Sequence, residues 1–271
     1  MTIRTHPARA RAAARPALPR VPALAVLAYH LVGYRRTWRS SVFSSFLLPL
    51  LTVLGFGVGV GAYVDQGVGG VPYLDWILPG LVASTAFQVA VAESTWPVHS
   101  SFHWTKLYYA QSAAPLRVGD ILGGHLLFVL FRVLTAGAAF LAVAALFGVL
   151  HSVWALTVLP VLLLLGLAMA PLVFAYTAWV PGDSYLALLF RFAVIPATLF
   201  AGIFFPVESL PVALRWLAYA TPLWHGVDLC RAATLGVAAQ WSVPGHVLYL
   251  TAWAVAGWLF ARRRFHRKLV V

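Results

Sequence analysis

Residues 202–211 read GIFFPVESLP, and this stretch decides how often the chain crosses a membrane. It closes a long apolar run, sets Pro206 and Pro211 on either side of Glu208, and is followed by more apolar sequence. Three readings compete: a soluble loop, a broken spanning helix, or a segment that enters the membrane and leaves by the same side. Composition sets the frame. Of 271 residues 62% are hydrophobic and 10% charged, with a mean hydropathy of +0.86. Ordinary soluble domains are about one quarter charged, so polar residues are too few to clothe a soluble core of this size. The chain reads as an all-α integral membrane protein.

A helix needs about 20 mostly apolar residues to cross the hydrocarbon core. On that rule six spans are expected, near 42–62, 75–95, 120–147, 153–180, 186–206 and 244–261. Pro49, Pro79, Pro160, Pro171 and Pro196 fall inside them, which membrane helices tolerate. Basic residues then fix orientation. Eight lie in the N-terminal segment through Arg39, two (Lys106 and Arg117) in the 97–119 loop, and five in the tail RRRFHRK, which puts 15 of the 19 on one side. The 63–74 and 148–152 loops have none. Both termini are therefore expected to be cytoplasmic, which requires an even number of spans.

That settles the expectation for the opening stretch. A complete span within 207–243 would put the basic tail outside. The segment is instead expected to be an extracytoplasmic re-entrant hairpin over 207–236. Its half-helices fall near 207–219 and 221–235, broken at Thr221-Pro222. Irregular backbone at membrane depth is tolerated where protein covers it or a watery cavity meets it.

Residues 1–22, rich in Ala, Arg and Pro, lack the apolar surface to fold and read as a disordered cytoplasmic arm. The arm is drawn to anionic lipid; no nucleic-acid partner is expected. Over 23–41, Leu27, Leu31, Tyr34 and Trp38 recur at helical spacing beside Arg35, Arg36 and Arg39, the pattern of an amphipathic helix at the inner interface. Residues 42–262 form the membrane domain and 263–271 a basic cytoplasmic tail. RRTW faintly resembles a twin-arginine export signal, but the first span is too long for such a core and no A-x-A site follows.

Catalytic signatures are missing. No G-x-x-x-x-G-K-[ST], H-E-x-x-H, C-x-x-C or G-x-S-x-G occurs, so the chain is expected to be a transport subunit without a cofactor or metal of its own. Cys230 is the single cysteine, which excludes an intramolecular disulfide and a cysteine metal cluster. The nine histidines share no ligand spacing. Gly55/Gly59 and Gly57/Gly61 give two G-x-x-x-G pairs, suited either to packing within one subunit or to a dimer seam. Trp38, Trp76, Trp96, Trp154, Trp179 and Trp241 sit near span ends, as an interfacial belt does; stacking on a sugar or a planar substrate is the other reading.

Charges inside a membrane are costly unless paired or hydrated. Glu93, His125 and Arg191 fall at similar depths near the cytoplasmic side. Either they form a gate or line a polar pathway, or Arg191 snorkels to the interface and Glu93 is hydrated there. Arg132 is placed deeper, roughly 18 Å in by helical rise, and is the strongest single candidate for a buried role.

Three stretches together carry a family likeness: YLDWILPGLVASTAFQVAVAEST (73–95), WTKLYYAQSAAPLRVGDILGGH (104–125) and GIFFPVESLPVALRWLAYATPLWHGVDLCRAATLG (202–236). In this order they resemble the membrane subunit of type-2 ABC exporters. The likeness is to nodulation-type lipo-oligosaccharide export permeases, with daunorubicin-type drug-export permeases as near relatives. It covers about 40–262. The chain departs from the family pattern at QSAAPL in the cytoplasmic loop, at Gly124-His125 where Gly-Glu is common, and at Ala201-Gly202.

The resemblance implies six spans, an interfacial N-terminal helix and a re-entrant pair before the last span. It implies two ABC ATPase subunits as partners, with ATP and Mg on those subunits, and a second permease copy or a sister permease. It places the coupling helix at 97–111, with Phe102, His103, Trp104, Lys106, Leu107, Tyr108 and Tyr109 as ATPase contacts. The expected activity is export of an amphipathic substrate across a bacterial cytoplasmic membrane, a lipo-oligosaccharide or lipid-linked glycan before a drug or antibiotic. A proton-coupled secondary transporter using Glu93, Arg132 and His125 is the other class; it is expected to show inverted repeats, and none is visible. In the hairpin, Pro206 is expected to end the fifth span and Pro211 to open the first half-helix. Glu208 is expected at the outer surface, with Arg215, His225, Asp228 and Arg231 lining or bracing the vestibule.

Overall fold

The computed structural model describes residues 21–61, 67–68, 70–150 and 152–270. The arm expected over 1–22 lies almost wholly outside them. Among the described residues the chain is helical throughout, with a single isolated bridge between Val68 and Val71. Four helical stretches are long and apolar enough to cross a membrane: Tyr73–His103, Val118–Leu146, Val153–Trp179 and Val243–Leu269. A shorter apolar stretch runs over Ser184–Phe200.

Helix α1 (Pro22–Val53) runs unbroken into a wider, π-helical stretch over Leu54–Val60. The expected division at 41/42, an interfacial helix followed by a span, therefore has no backbone break behind it. Charge at Arg35, Arg36 and Arg39 changes the surface of a helix without interrupting its hydrogen bonds. The packed face also differs by a small rotation. Val26 is buried, His30 and Tyr34 meet the Phe128 ring, and Trp38 is exposed. Helix α1 lies close against α5 (Val118–Leu146) because Gly124 carries no side chain. A Cβ there would sit 2.5 Å from the Ala23 carbonyl oxygen and from Val26 Cβ.

Helix α2 (Tyr73–Ser94) is interrupted at Thr95, whose φ of −101° and ψ of −92° leave the helical region. Pro97 supplies no N–H in the next turn, and α3 (Trp96–His103) follows. The chain reverses at Lys106, the only described non-glycine residue with positive φ, at 50°. It enters α4 (Leu107–Ser112) and then α5. Helix α6 (Val158–Trp179) packs on α11 (Val243–Leu269). The approach is again set by a glycine: a Cβ on Gly257 would meet the Leu172 backbone nitrogen at 2.9 Å.

The fifth apolar stretch is assembled from α7 (Ser184–Leu189), a π-helical segment Phe190–Val194, and α8 (Ile195–Phe200). It ends at Phe200, six residues earlier than expected, so Pro206 does not terminate it. The chain bends through Gly202 at φ +74°; there a Cβ would meet Val207 at 2.8 Å. Pro206 then caps a short turn, Val207–Ser209. Two short helices follow, α9 (Val212–Tyr219) with Pro211 at its N-cap, and α10 (Pro222–Leu235) with Thr221 capping it. The Thr221 hydroxyl accepts the Trp224 N–H. Helix α10 is buried along nearly its whole length against α2 and α6.

The last helix is longer than the expected span. It continues through Leu269, so Arg262, Arg263, Arg264, Arg267 and Lys268 ride on a helical extension rather than a separate tail.

Candidate functional site

Three groups of residues carry the polar chemistry. The first is the elbow made by α3, Lys106 and α4. Phe102 and Tyr108 are not surface contacts: both are buried, and their rings pack on Phe265 of α11 at 5.0 and 5.3 Å. The Tyr108 hydroxyl is hydrogen-bonded to Nδ1 of His125 on α5. Lys268 ties the same knot together, donating to the Ala178 carbonyl at 3.1 Å and lying 3.2 Å from His103 Nε2. What remains outside is Trp104, 62% exposed, with His103, Lys106 and Tyr109 around it. Leu107 is half-buried. The seven residues expected to contact a partner thus divide into a buried anchor and an exposed tip.

The second group is a cleft of about 410 Å3 between α1, α2 and α5, lined by Tyr29, His30, Tyr34, Glu93, Phe128 and Arg132 among others. Arg132 Nε donates to Glu93 Oε1 at 3.0 Å, and the guanidinium stands 4.9 Å from the centre of the Tyr34 ring. Arg132 Nη1 is buried without a hydrogen-bond partner among the described residues. Helical rise set Glu93 near the end of its helix and Arg132 deeper. The two side chains meet although they lie on different helices. The expected trio is not assembled. His125 turns to Tyr108 and packs 4.3 Å from His30, while Arg191 is exposed, with neither a hydrogen bond nor an ion pair to Glu93 or His125 among the described residues. His30 escaped sequence reasoning, and Tyr34 was read only as part of an amphipathic face; their spacing of four residues beside a buried-charge candidate was the available signal.

The third group fastens the α9–α10 hairpin. Arg231 donates to the Gly202 carbonyl at 2.8 Å and lies 3.8 Å above the half-buried Trp76 ring, so Trp76 also clamps the hairpin. Trp38, Trp96, Trp154, Trp179 and Trp241 are exposed as a belt requires. Arg215 donates to the Leu210 carbonyl at 2.6 Å. Asp228 accepts the Gln240 N–H at 2.8 Å and lies 3.0 Å from Nε2 of His246, a residue sequence reasoning missed. His246 Nδ1 is 2.8 Å from His225 Nδ1, and His225 Nε2 is 3.0 Å from the Tyr219 carbonyl. That carbonyl only accepts, so His225 carries its proton on Nε2, and a neutral His225 accepts at Nδ1 from His246. Arg215, His225, Asp228 and Arg231 brace the hairpin from within, and Glu208 is exposed.

A bundle of apolar helices with an elbow at one end, a two-helix insertion before the last helix and no nucleotide motif defines a multi-pass membrane transport component. The ABC-2 type transporter profile matches residues 23–235, and the chain belongs to that family, whose members normally work with ABC ATPase partners. Among characterised relatives it is similar to Nodulation protein J of Rhizobium leguminosarum bv. trifolii, 30% identical over 213 residues, 79% of this chain and 81% of the relative. Nodulation protein J of Rhizobium leguminosarum bv. viciae is 28% identical over 247 residues, 91% of this chain and 95% of the relative. The Rhizobium meliloti (strain 1021) protein of the same name is also 28% identical over 247 residues, 91% and 94% of the two chains.

Proposed function

We propose that the chain is the permease subunit of an ATP-driven exporter that moves an amphipathic substrate, a lipo-oligosaccharide or lipid-linked glycan, out across a bacterial cytoplasmic membrane. The elbow carries the reading. A chain with no nucleotide motif presents Trp104, Lys106 and Tyr109 on a rigid mount whose buried side, Phe102 and Tyr108, is locked to α5 and α11. Such a mount passes a push from a docked ATPase directly into membrane helices. Left-handed backbone at Lys106 costs about 1–2 kcal/mol, and strain of this kind collects at functional turns.

In this reading both termini are cytoplasmic. The distal half of α1 and the Ser184–Phe200 stretch complete six spans with the four long apolar helices, and α9–α10 form the re-entrant outer hairpin. Two permeases meet two ATPases. Gly55 and Gly59 favour a seam between permeases over packing within one subunit, since an added Cβ at either finds no described atom within 4 Å. The aromatic and charged cleft at Glu93 and Arg132 suits the polar part of an amphipath. Stacking on Tyr29 or Tyr34 would hold a sugar ring, and Arg132 Nη1 would take a hydroxyl or an anionic group.

The test is co-purification of the full-length protein with its candidate ATPase, then ATP hydrolysis in proteoliposomes with and without an acylated oligosaccharide. Association and stimulation by the glycolipid support the reading. Stimulation by hydrophobic drugs alone would move the substrate to the drug class. Transport driven by a proton gradient with no ATPase would overturn it.

A further inference from the structure

A second cavity, larger than the polar cleft, lies apart from it. It has a volume of about 660 Å3 and runs between α2, α6, the α7–α8 stretch and α11, with α9 and the start of α10 beside it. That volume is within the ordinary range of small-ligand pockets. Its walls include Leu189, Pro196 and Phe200 on one side and Trp253 and Phe260 on the other. Leu189 to Phe200, and Trp253 to Arg264, are each eleven residues apart, roughly 16 Å of helix.

The two hydroxyls in the lining are spoken for. The Tyr176 hydroxyl donates to the Tyr185 carbonyl at 2.8 Å, and the Thr221 hydroxyl donates to the Ala218 carbonyl at 2.7 Å. The interior therefore offers mainly hydrocarbon and aromatic surface, with the Trp179 and Trp253 indoles among its walls. One charge borders it. Arg264 lines the cavity, half-buried, 5.7 Å from the Trp179 ring. No carboxylate among the described residues pairs with it. Arg262, Arg263 and Arg267 stand exposed on the same end of α11.

We propose that this cavity is a binding slot for one acyl chain of an anionic phospholipid, with the headgroup held at Arg264 and Trp179. The occupant follows from two complementarities. A narrow apolar slot at membrane depth in a chain that spans the membrane is solvated by lipid tails and not by water. A cationic cluster at its mouth favours an anionic headgroup over a zwitterionic one. The slot also borders the Ser184–Phe200 stretch, assembled from two six-residue helices and a π-helical segment, so its occupant supports that stretch. The proposal stands independently of the export reading, because it concerns binding in the resting protein.

The test uses the full-length protein in phosphatidylcholine nanodiscs containing a minor fraction of phosphatidylglycerol with a photoactivatable diazirine in its acyl chain, followed by peptide mapping. Labelling is expected to concentrate on α6, α7–α8 and α11 residues that line the slot. Ala197→Phe, which fills the slot, is expected to remove it, and Arg264→Gln, a partly exposed change, to lower it about fivefold while leaving a diazirine phosphatidylcholine probe unaffected. Loss with Ala197→Phe but not with Arg264→Gln would overturn the anionic assignment. Labelling no denser in the slot than at lipid-facing Leu248, or insensitive to both variants, would overturn the slot itself.

Discussion

The Tyr108 hydroxyl is hydrogen-bonded to Nδ1 of His125, with both residues buried. One bond thus joins the elbow to α5, and His125 in turn lies 4.3 Å from His30, which lines the Glu93–Arg132 cleft. The site that would feel an ATPase and the site that would feel a substrate are three side chains apart. Tyr108→Phe keeps the ring and strands a buried nitrogen, at about 1–3 kcal/mol. The variant is expected to co-purify with the ATPase normally while losing substrate stimulation of hydrolysis, measured on the reconstituted complex.

The elbow's two faces are expected to respond differently. Trp104→Ala and Tyr109→Ala remove exposed rings, and are expected to weaken ATPase co-purification with little change in melting temperature. Phe265→Ala empties the fully buried centre of the knot and is expected to cost about 3–5 kcal/mol, visible as a lower melting temperature of the isolated permease.

In the cleft, Arg132→Leu leaves Glu93 without its partner and removes a buried donor, Nη1, that has no hydrogen-bond partner among the described residues. Transport is expected to fall to background with assembly intact, whereas Glu93→Gln, which keeps a hydrogen-bond acceptor for Arg132, retains part of it. Normal transport by Arg132→Leu would remove the cleft from the pathway.

At the hairpin, Gly202→Ala forces a side chain onto positive φ and against Val207, a strain of about 1–3 kcal/mol. Pro206→Leu and Glu208→Ala are expected to alter transport more than ATPase association. The Asp228–His246–His225 chain can be probed through Cys230, the single cysteine, fully buried in α10. Asp228→Asn or His246→Ala is expected to raise maleimide labelling of Cys230 on the order of tenfold or more, because breaking a buried pair costs about 3–5 kcal/mol.

Much of this architecture was legible in the residues. Apolar length located α2 and α5 to within about two residues and the end of α6 to within one, its start lying five residues later than expected, and Thr221-Pro222 marked the start of α10 because a hydroxyl followed by proline is a strong helix-start signal. Three features were not. The break expected at 41/42 rested on surface charge, which a helix backbone ignores. The pairing of Glu93 with Arg132 joins residues 39 apart on different helices. The pairing of Asp228 with His246 joins residues eighteen apart on different helices, and no local spacing encodes it. Arg132 was singled out by the cost of burying its charge; its partner was found only by folding.

The most direct test of the central claim is uptake of an acylated oligosaccharide into inside-out proteoliposomes holding the permease and its ATPase. ATP-dependent accumulation that survives collapse of the proton gradient, and that disappears when the ATPase is omitted or Tyr108 is changed to Phe, is the expected result. Accumulation that needs the proton gradient and proceeds without the ATPase would contradict the account.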